Sequence, residues 1–119
     1  MLTLYSPMSH QGLGEFEQLV LLAIAHLHPR GEAYGIPIVE EIGRRTGRSV
    51  ARAAVYITLR RLEEKGFVST WMSDPTPERG GKARRYATLE PAGARALTEA
   101  RHAAERMWRG LDPASLRAR

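Results

Sequence analysis

Between Ile42 and Leu62 the chain carries Arg44, Arg45, Arg48, Arg52, Arg60 and Arg61 and not one acidic residue. Guanidinium groups with no carboxylates among them suit a polyanion, because each planar fork matches phosphate oxygens or the acceptor edge of a base. Tyr56 lies in the same stretch, and its hydroxyl can bond a phosphate oxygen. A second basic set, Arg79, Lys82, Arg84 and Arg85, surrounds Gly80-Gly81. A basic, glycine-bearing tip of this kind meets phosphates or a minor groove. The plainer reading is a solvated arginine face with Tyr56 packed against a neighbouring helix. The absence of acids across the whole stretch tilts the set toward nucleic acid.

Other chemistries find less support. Glycines beside Lys82 suggest a nucleotide cradle, but that pattern needs Ser or Thr after the lysine and Ala83 stands there. His26 and His28 are two apart on a helix and point to different faces, so they are poor metal co-ligands. Glu40-Glu41 and Glu63-Glu64 read as solvent-facing charge, no catalytic constellation is visible, and no cofactor is implied. The chain has no cysteine, which excludes disulfide scaffolds, zinc ribbons and thiol catalysis. Its apolar run from Leu19 to Leu27 is about half of what a bilayer span requires, and its start lacks a signal-peptide pattern. A cytoplasmic protein with no membrane contact is expected.

These residues need a scaffold, and 119 residues with 43% hydrophobic content supply one domain with a real core. Lys and Arg number 18 against 13 Asp and Glu, a net charge of +5. Residues 1–12 show no periodicity and read as a flexible arm. Phe16, Leu19, Val20, Ala23, Ile24 and Leu27 recur at helical spacing after Gly14. His28-Pro29-Arg30-Gly31 ends that helix. A second runs from Tyr34 to about Thr46, with Pro37 in its first turn and Gly47 at its C-terminus. A third is predicted from Ser49, as N-cap, to Lys65, with Ala51, Val55, Leu59 and Leu62 on its core side.

Gly66 closes the third helix. Phe67 to Met72 and Arg84 to Leu89 read as two strands around a polar loop. Pro91 opens an alanine-rich helix to about Gly110. Helix, helix, helix, hairpin, helix is the layout of a winged helix-turn-helix. The expected fold is therefore mainly α with a small β-hairpin wing, plus a C-terminal dimerisation helix. The division is an arm (1–12), a winged helix-turn-helix DNA-binding domain (13–90), the C-terminal helix (91–111) and a tail (112–119).

On this layout the third helix is the recognition helix, and small residues such as Ala53 let it approach a major groove closely. The candidate DNA-binding residues are Arg48, Ser49, Arg52, Ala53, Tyr56, Arg60 and Arg61, with Lys82 and Arg84 on the wing. Arg52 is placed to reach a base edge or a phosphate, Arg60 and Arg61 the backbone. Leu97, Ala100, Ala104, Met107 and Leu111 form a short coiled-coil-like seam. It predicts a homodimer; folding back on the first helix is the alternative, and the two are compatible. A basic RNA-binding module and a winged-helix adaptor for another protein remain alternatives.

Leu19 to Ala25, Tyr34-Gly35-Ile36 and Val55-Tyr56-x-x-Leu59-Arg60-Arg61-Leu62-Glu63-Glu64-Lys65-Gly66-Phe67-Val68 together resemble the PadR family of transcription regulators. So does Arg84-Arg85-Tyr86-Ala87-Thr88-Leu89 with Gly93 and Leu97 behind it. The resemblance spans roughly residues 13 to 110. It implies a homodimer that binds a palindromic operator in duplex DNA and usually represses, with Tyr56 against the DNA backbone and Lys82 and Arg84 in the basic wing. It also implies that a small planar hydrophobic effector can bind near the dimer interface, where Trp108 lies beside the seam. Trp108 packing in the dimer core is the simpler role. The chain departs from the family pattern at Ala53-Ala54, where a small polar residue is usual, and at Glu90-Pro91-Ala92-Gly93, where Thr-x-x-Gly is usual.

Overall fold

Helix α1 (Glu15–Leu27) begins where Gly14 is extended, and the Gly14 N–H donates to the Glu17 carboxylate at 2.9 Å. Glu15 and Glu17 place negative charge at the positive end of the helix dipole. Val20, Leu21, Ala23, Ile24 and Leu27 form its buried stripe, as their spacing predicts. The computed structural model describes residues 12–74 and 83–117. The expected arm, apart from Gly12, lies outside that range, as does the wing tip with Arg79, Gly80, Gly81 and Lys82.

A short 3-10 turn, His28–Arg30, leads to Gly31, whose φ of +69° is the left-handed conformation that glycine adopts without strain. Helix α2 (Gly35–Thr46) starts one residue later than expected, with Tyr34 as its extended N-cap. It ends at Gly47 in the left-handed region. The turn beyond is longer than two helical signals alone suggest. Thr46 Oγ1 accepts the Arg48 N–H at 3.1 Å and donates to the Ile42 carbonyl at 2.7 Å, so the chain is held extended past Ser49. Helix α3 therefore runs Arg52–Glu64 with Ala51 as N-cap. Ser49 is not the cap, and Ala51 is exposed rather than part of the core side. Val55, Thr58, Leu59 and Leu62 are the buried residues of α3.

Strands β1 (Val68–Met72) and β2 (Arg85–Leu89) pair antiparallel, with Val68 opposite Leu89 and Met72 opposite Arg85. The hairpin is tied to the segment before α2, since the Ala87 N–H donates to the Ala33 carbonyl at 2.9 Å and Tyr34 bridges Tyr86. Tyr86 stacks on Trp71 at 4.7 Å between ring centroids and meets Tyr34 at 5.1 Å. This aromatic row joins the hairpin to the segment before α2. Phe67, Val68 and Ala87 contribute to the core, and Trp71 stays half exposed.

Helix α4 (Pro91–Trp108) is seated by close backbone approach. A Cβ on Gly93 would lie 2.3 Å from the Phe67 carbonyl oxygen, so only glycine fits. Ala92, Ala96 and Leu97 pack against the core. From Arg101 to Arg117 every residue is exposed. The first half of α4 folds back as one of the two expectations held, and the second half projects bare. No helix among the described residues is long and apolar enough to cross a membrane.

Candidate nucleic-acid interface

The arginine-rich stretch is less uniform in space than in sequence. Glu41 is buried, 1% exposed, and Arg45 Nε and Arg44 Nη2 each donate to its carboxylate. The expected solvent-facing role of Glu41 is thus incorrect. A carboxylate left unpaired there would be costly, and two guanidinium groups make the burial tolerable. The hydrogen bond from Arg45 holds the carboxyl below the ordinary glutamate range, the charges of Arg44 and Arg45 act the same way, and desolvation only partly opposes them. Arg45 also approaches His26 Nδ1 at 3.3 Å. Arg48 meets Glu15 of α1 at 3.3 Å, an open pair of little energetic weight. Three of the six arginines are therefore paired with acids outside the stretch or at its edge.

Arg52, Arg60 and Arg61 are exposed on α3 and form no ion pair among the described residues. Helical geometry divides them. Arg52 and Tyr56 lie on the side of α3 toward the wing, and Arg61 on the opposite flank. Tyr56 is 43% exposed, and a Cβ on Gly35 would stand 2.5 Å from its hydroxyl oxygen. The first turn of α2 thus seats the tyrosine and leaves its hydroxyl at a helix N-terminus, where backbone N–H groups point outward. Tyr56 thus packs on a neighbouring helix, as the plainer reading has it, and stays partly exposed.

Across from it, the Arg84 guanidinium lies 4.4 Å above the Tyr34 ring. Tyr34, Gly35, Ile36, Arg52, Tyr56, Ala83, Arg84 and Arg85 line one open cleft of about 430 Å³. A smaller hollow of about 220 Å³ beside it is lined by Tyr56, Leu59, Arg60, Glu63, Thr70 and Arg85. Arg85 donates to Thr70 Oγ1 at 2.9 Å. The fold therefore brings Arg52, Tyr56, Arg60 and Arg84 together. It sets Arg48 and Ser49 in the exposed turn before α3 and Ala53 on the outer face of that helix. Lys82 lies outside the described residues. Gly35 and Arg85, which charge patterning alone does not single out, also line the cleft. Gly35, at a helix start two residues before Pro37, was the available signal for a close contact.

At the far end, Met107 is 81% exposed, and Trp108 and Leu111 are also uncovered. Leu97 and Ala100 are half buried, and Ala104 is exposed. A groove of about 860 Å³ runs between the start of α1, the end of α3 and α4, with Phe67, Ala96, Ala100 and Ala103 among its lining residues.

Three helices followed by a paired hairpin, with a basic cleft between hairpin and third helix, define a winged helix-turn-helix protein. Residues 21–99 match the transcriptional regulator PadR-like family, two thirds of the chain, and the chain belongs to that family. Its members are transcriptional regulators rather than enzymes, a function exercised on DNA. A PadR family transcriptional regulator from Eggerthella lenta is similar at 26% identity and a TM-score of 0.62, covering 79% of this chain and 78% of that one. A PadR family regulator from Clostridium difficile shares the fold at 22% identity and a TM-score of 0.57, over 81% and 88% of the two chains. The Orc1 protein of Aeropyrum pernix, solved in complex with DNA, is similar at 26% identity and a TM-score of 0.60 over 78% of this chain and 26% of that one. No curated protein matches the chain.

Proposed function

We propose that the chain is a homodimeric, cytoplasmic repressor that binds a palindromic operator in duplex DNA. In this reading α3 enters the major groove and the wing follows the adjacent backbone. The observation that carries it is the convergence of Arg52, Tyr56 and Arg84 on one open cleft at the α2 N-terminus, beside the exposed face of α3. A backbone phosphate in that cleft meets the Arg84 guanidinium, a phenol hydroxyl and the positive end of a helix, with Arg52 at the edge toward the adjoining base. The Aeropyrum Orc1 protein, similar in fold, binds DNA.

The palindrome and the repression follow the family rather than the geometry. Dimerisation is supported by the exposed end of α4 and the segment after it, where Met107, Trp108, Leu111 and Leu116 are uncovered among the described residues. A two-fold pair of α3 helices then reads half-sites about one helical turn apart. Trp108, at that same end of α4, is the side chain against which a planar hydrophobic effector would stack.

Anisotropy titration against the duplex upstream of the chain's own gene tests the reading, at physiological salt with excess non-specific competitor. Saturable binding that resists the competitor is expected. Binding that the non-specific competitor abolishes, or that a duplex RNA competes equally well, would overturn it.

A further inference from the structure

The base-facing surface of α3 has an unusual chemistry for a reader of sequence. The buried residues Val55, Thr58, Leu59 and Leu62 fix which side meets the core. Ala53 and Ile57, one turn apart, lie on the side diametrically opposite. Both are exposed, and Ile57 is 56% exposed. An isoleucine so placed gains nothing from the core. The arginines Arg52 and Arg60 flank this pair toward the wing and Arg61 flanks it on the other side, so the apolar line is framed by positive charge. A polyanion bound by the frame must lie directly over Ala53 and Ile57.

The polar groups of α3 narrow what can be read there. Before Glu63 the helix contains no Asn, Gln, Asp or Glu. Asn and Gln recognise adenine through paired hydrogen bonds, and arginine recognises guanine. With the amide side chains missing, α3 lacks the paired hydrogen-bonding reader that adenine calls for. It has an exposed aliphatic group, and the feature of an A·T pair that an aliphatic group recognises is the thymine 5-methyl in the major groove.

We infer that Ile57, with the small Ala53 allowing close approach, selects thymine through its 5-methyl group, while an arginine of the frame supplies any guanine contact. This rests on the duplex-DNA reading above and names the base it selects. Burying one methyl between Ile57 and the base contributes about fourfold in affinity.

The test begins by selecting tight binders from a randomised duplex pool with the full-length protein. The best duplex is then resynthesised with single thymines replaced by deoxyuridine, which removes only the methyl group. The expected result is one sensitive thymine in each half-site, weakened about fourfold, with no further loss when Ile57→Ala protein is used. Ile57→Ala is a surface change, so its melting temperature is expected to stay near that of the native chain. A tightly bound duplex that tolerates deoxyuridine everywhere overturns the methyl contact and leaves the DNA reading standing. Equal deoxyuridine sensitivity in Ile57→Ala assigns the methyl to another residue and also overturns it. Failure to enrich any duplex over the pool brings down both.

Discussion

Glu41→Gln removes one charge from the core and almost no volume. The carboxylate accepts from Arg44 and from Arg45, while the amide has a single acceptor oxygen, so one guanidinium loses its partner and meets an NH2 group instead. Those side chains are 59% and 55% exposed, so the released guanidinium rehydrates and no unpaired positive charge is trapped. The loss then reduces to one charge-assisted hydrogen bond, about 1.5–3 kcal/mol. Glu41→Leu is expected to cost less, because it removes the desolvation burden together with the bonds. The pH dependence carries a definite sign. The folded carboxyl titrates below its unfolded value of about 4.3, so its contribution is complete above that pH and is lost as pH falls through the lowered folded value. Urea unfolding at pH 6 and at pH 3 is the assay. The gap between native chain and Glu41→Gln is expected to be wide at pH 6 and to shrink at pH 3. A gap that is absent at pH 6, or that widens on acidification, would refute the argument that the arginines stabilise the ionised form.

Gly93→Ala forces a Cβ against the Phe67 carbonyl and is expected to destabilise by about 1–3 kcal/mol in thermal or urea unfolding, despite alanine's better helix propensity. An unchanged midpoint would mean that α4 can slide. Gly35→Ala meets only the movable tip of Tyr56, so stability is expected to stay within about 1 kcal/mol while duplex affinity drops about two- to tenfold through a displaced phosphate contact. Equal affinity would remove Tyr56 from the interface. Arg52, in the N-terminal turn of α3, is expected on alanine substitution to relax specificity at one base pair by about 1–3 kcal/mol. Arg60→Ala is expected to weaken all duplexes alike and to flatten the salt dependence by about one unit. Identical, sequence-independent effects from both would refute that division. Size-exclusion chromatography with light scattering at micromolar concentration is expected to give the mass of two chains, and a monomer there would sink the dimer.

What the sequence disclosed and what it hid divide along a physical line. Periodicity within one element is local, so the stripes of α1, α2 and α3 and the glycine after each were legible, as was the order that makes a winged helix. The recognition-helix start was misplaced because Ser49 is a good cap by itself. It is overruled by a turn that Thr46 builds from three residues upstream. The acid-free arginine stretch was a true feature of the chain and an incomplete guide to the surface. Glu15 reaches Arg48 from another helix, and Glu41, one residue before the stretch, turns inward and takes Arg44 and Arg45 with it. Pairings of that kind depend on where helices cross, which no spacing rule encodes. The consequence for function is selective. The arginines nearest the α2 C-terminus are engaged in holding the fold, and Arg52, Arg60, Arg61 and Arg85 remain exposed. A basic composition thus becomes a directed surface: Glu41 and Glu15 occupy Arg44, Arg45 and Arg48, and the positive charge without such partners among the described residues, Arg52, Arg60 and Arg61, lies around Ala53 and Ile57, where the proposed reading puts the base edge.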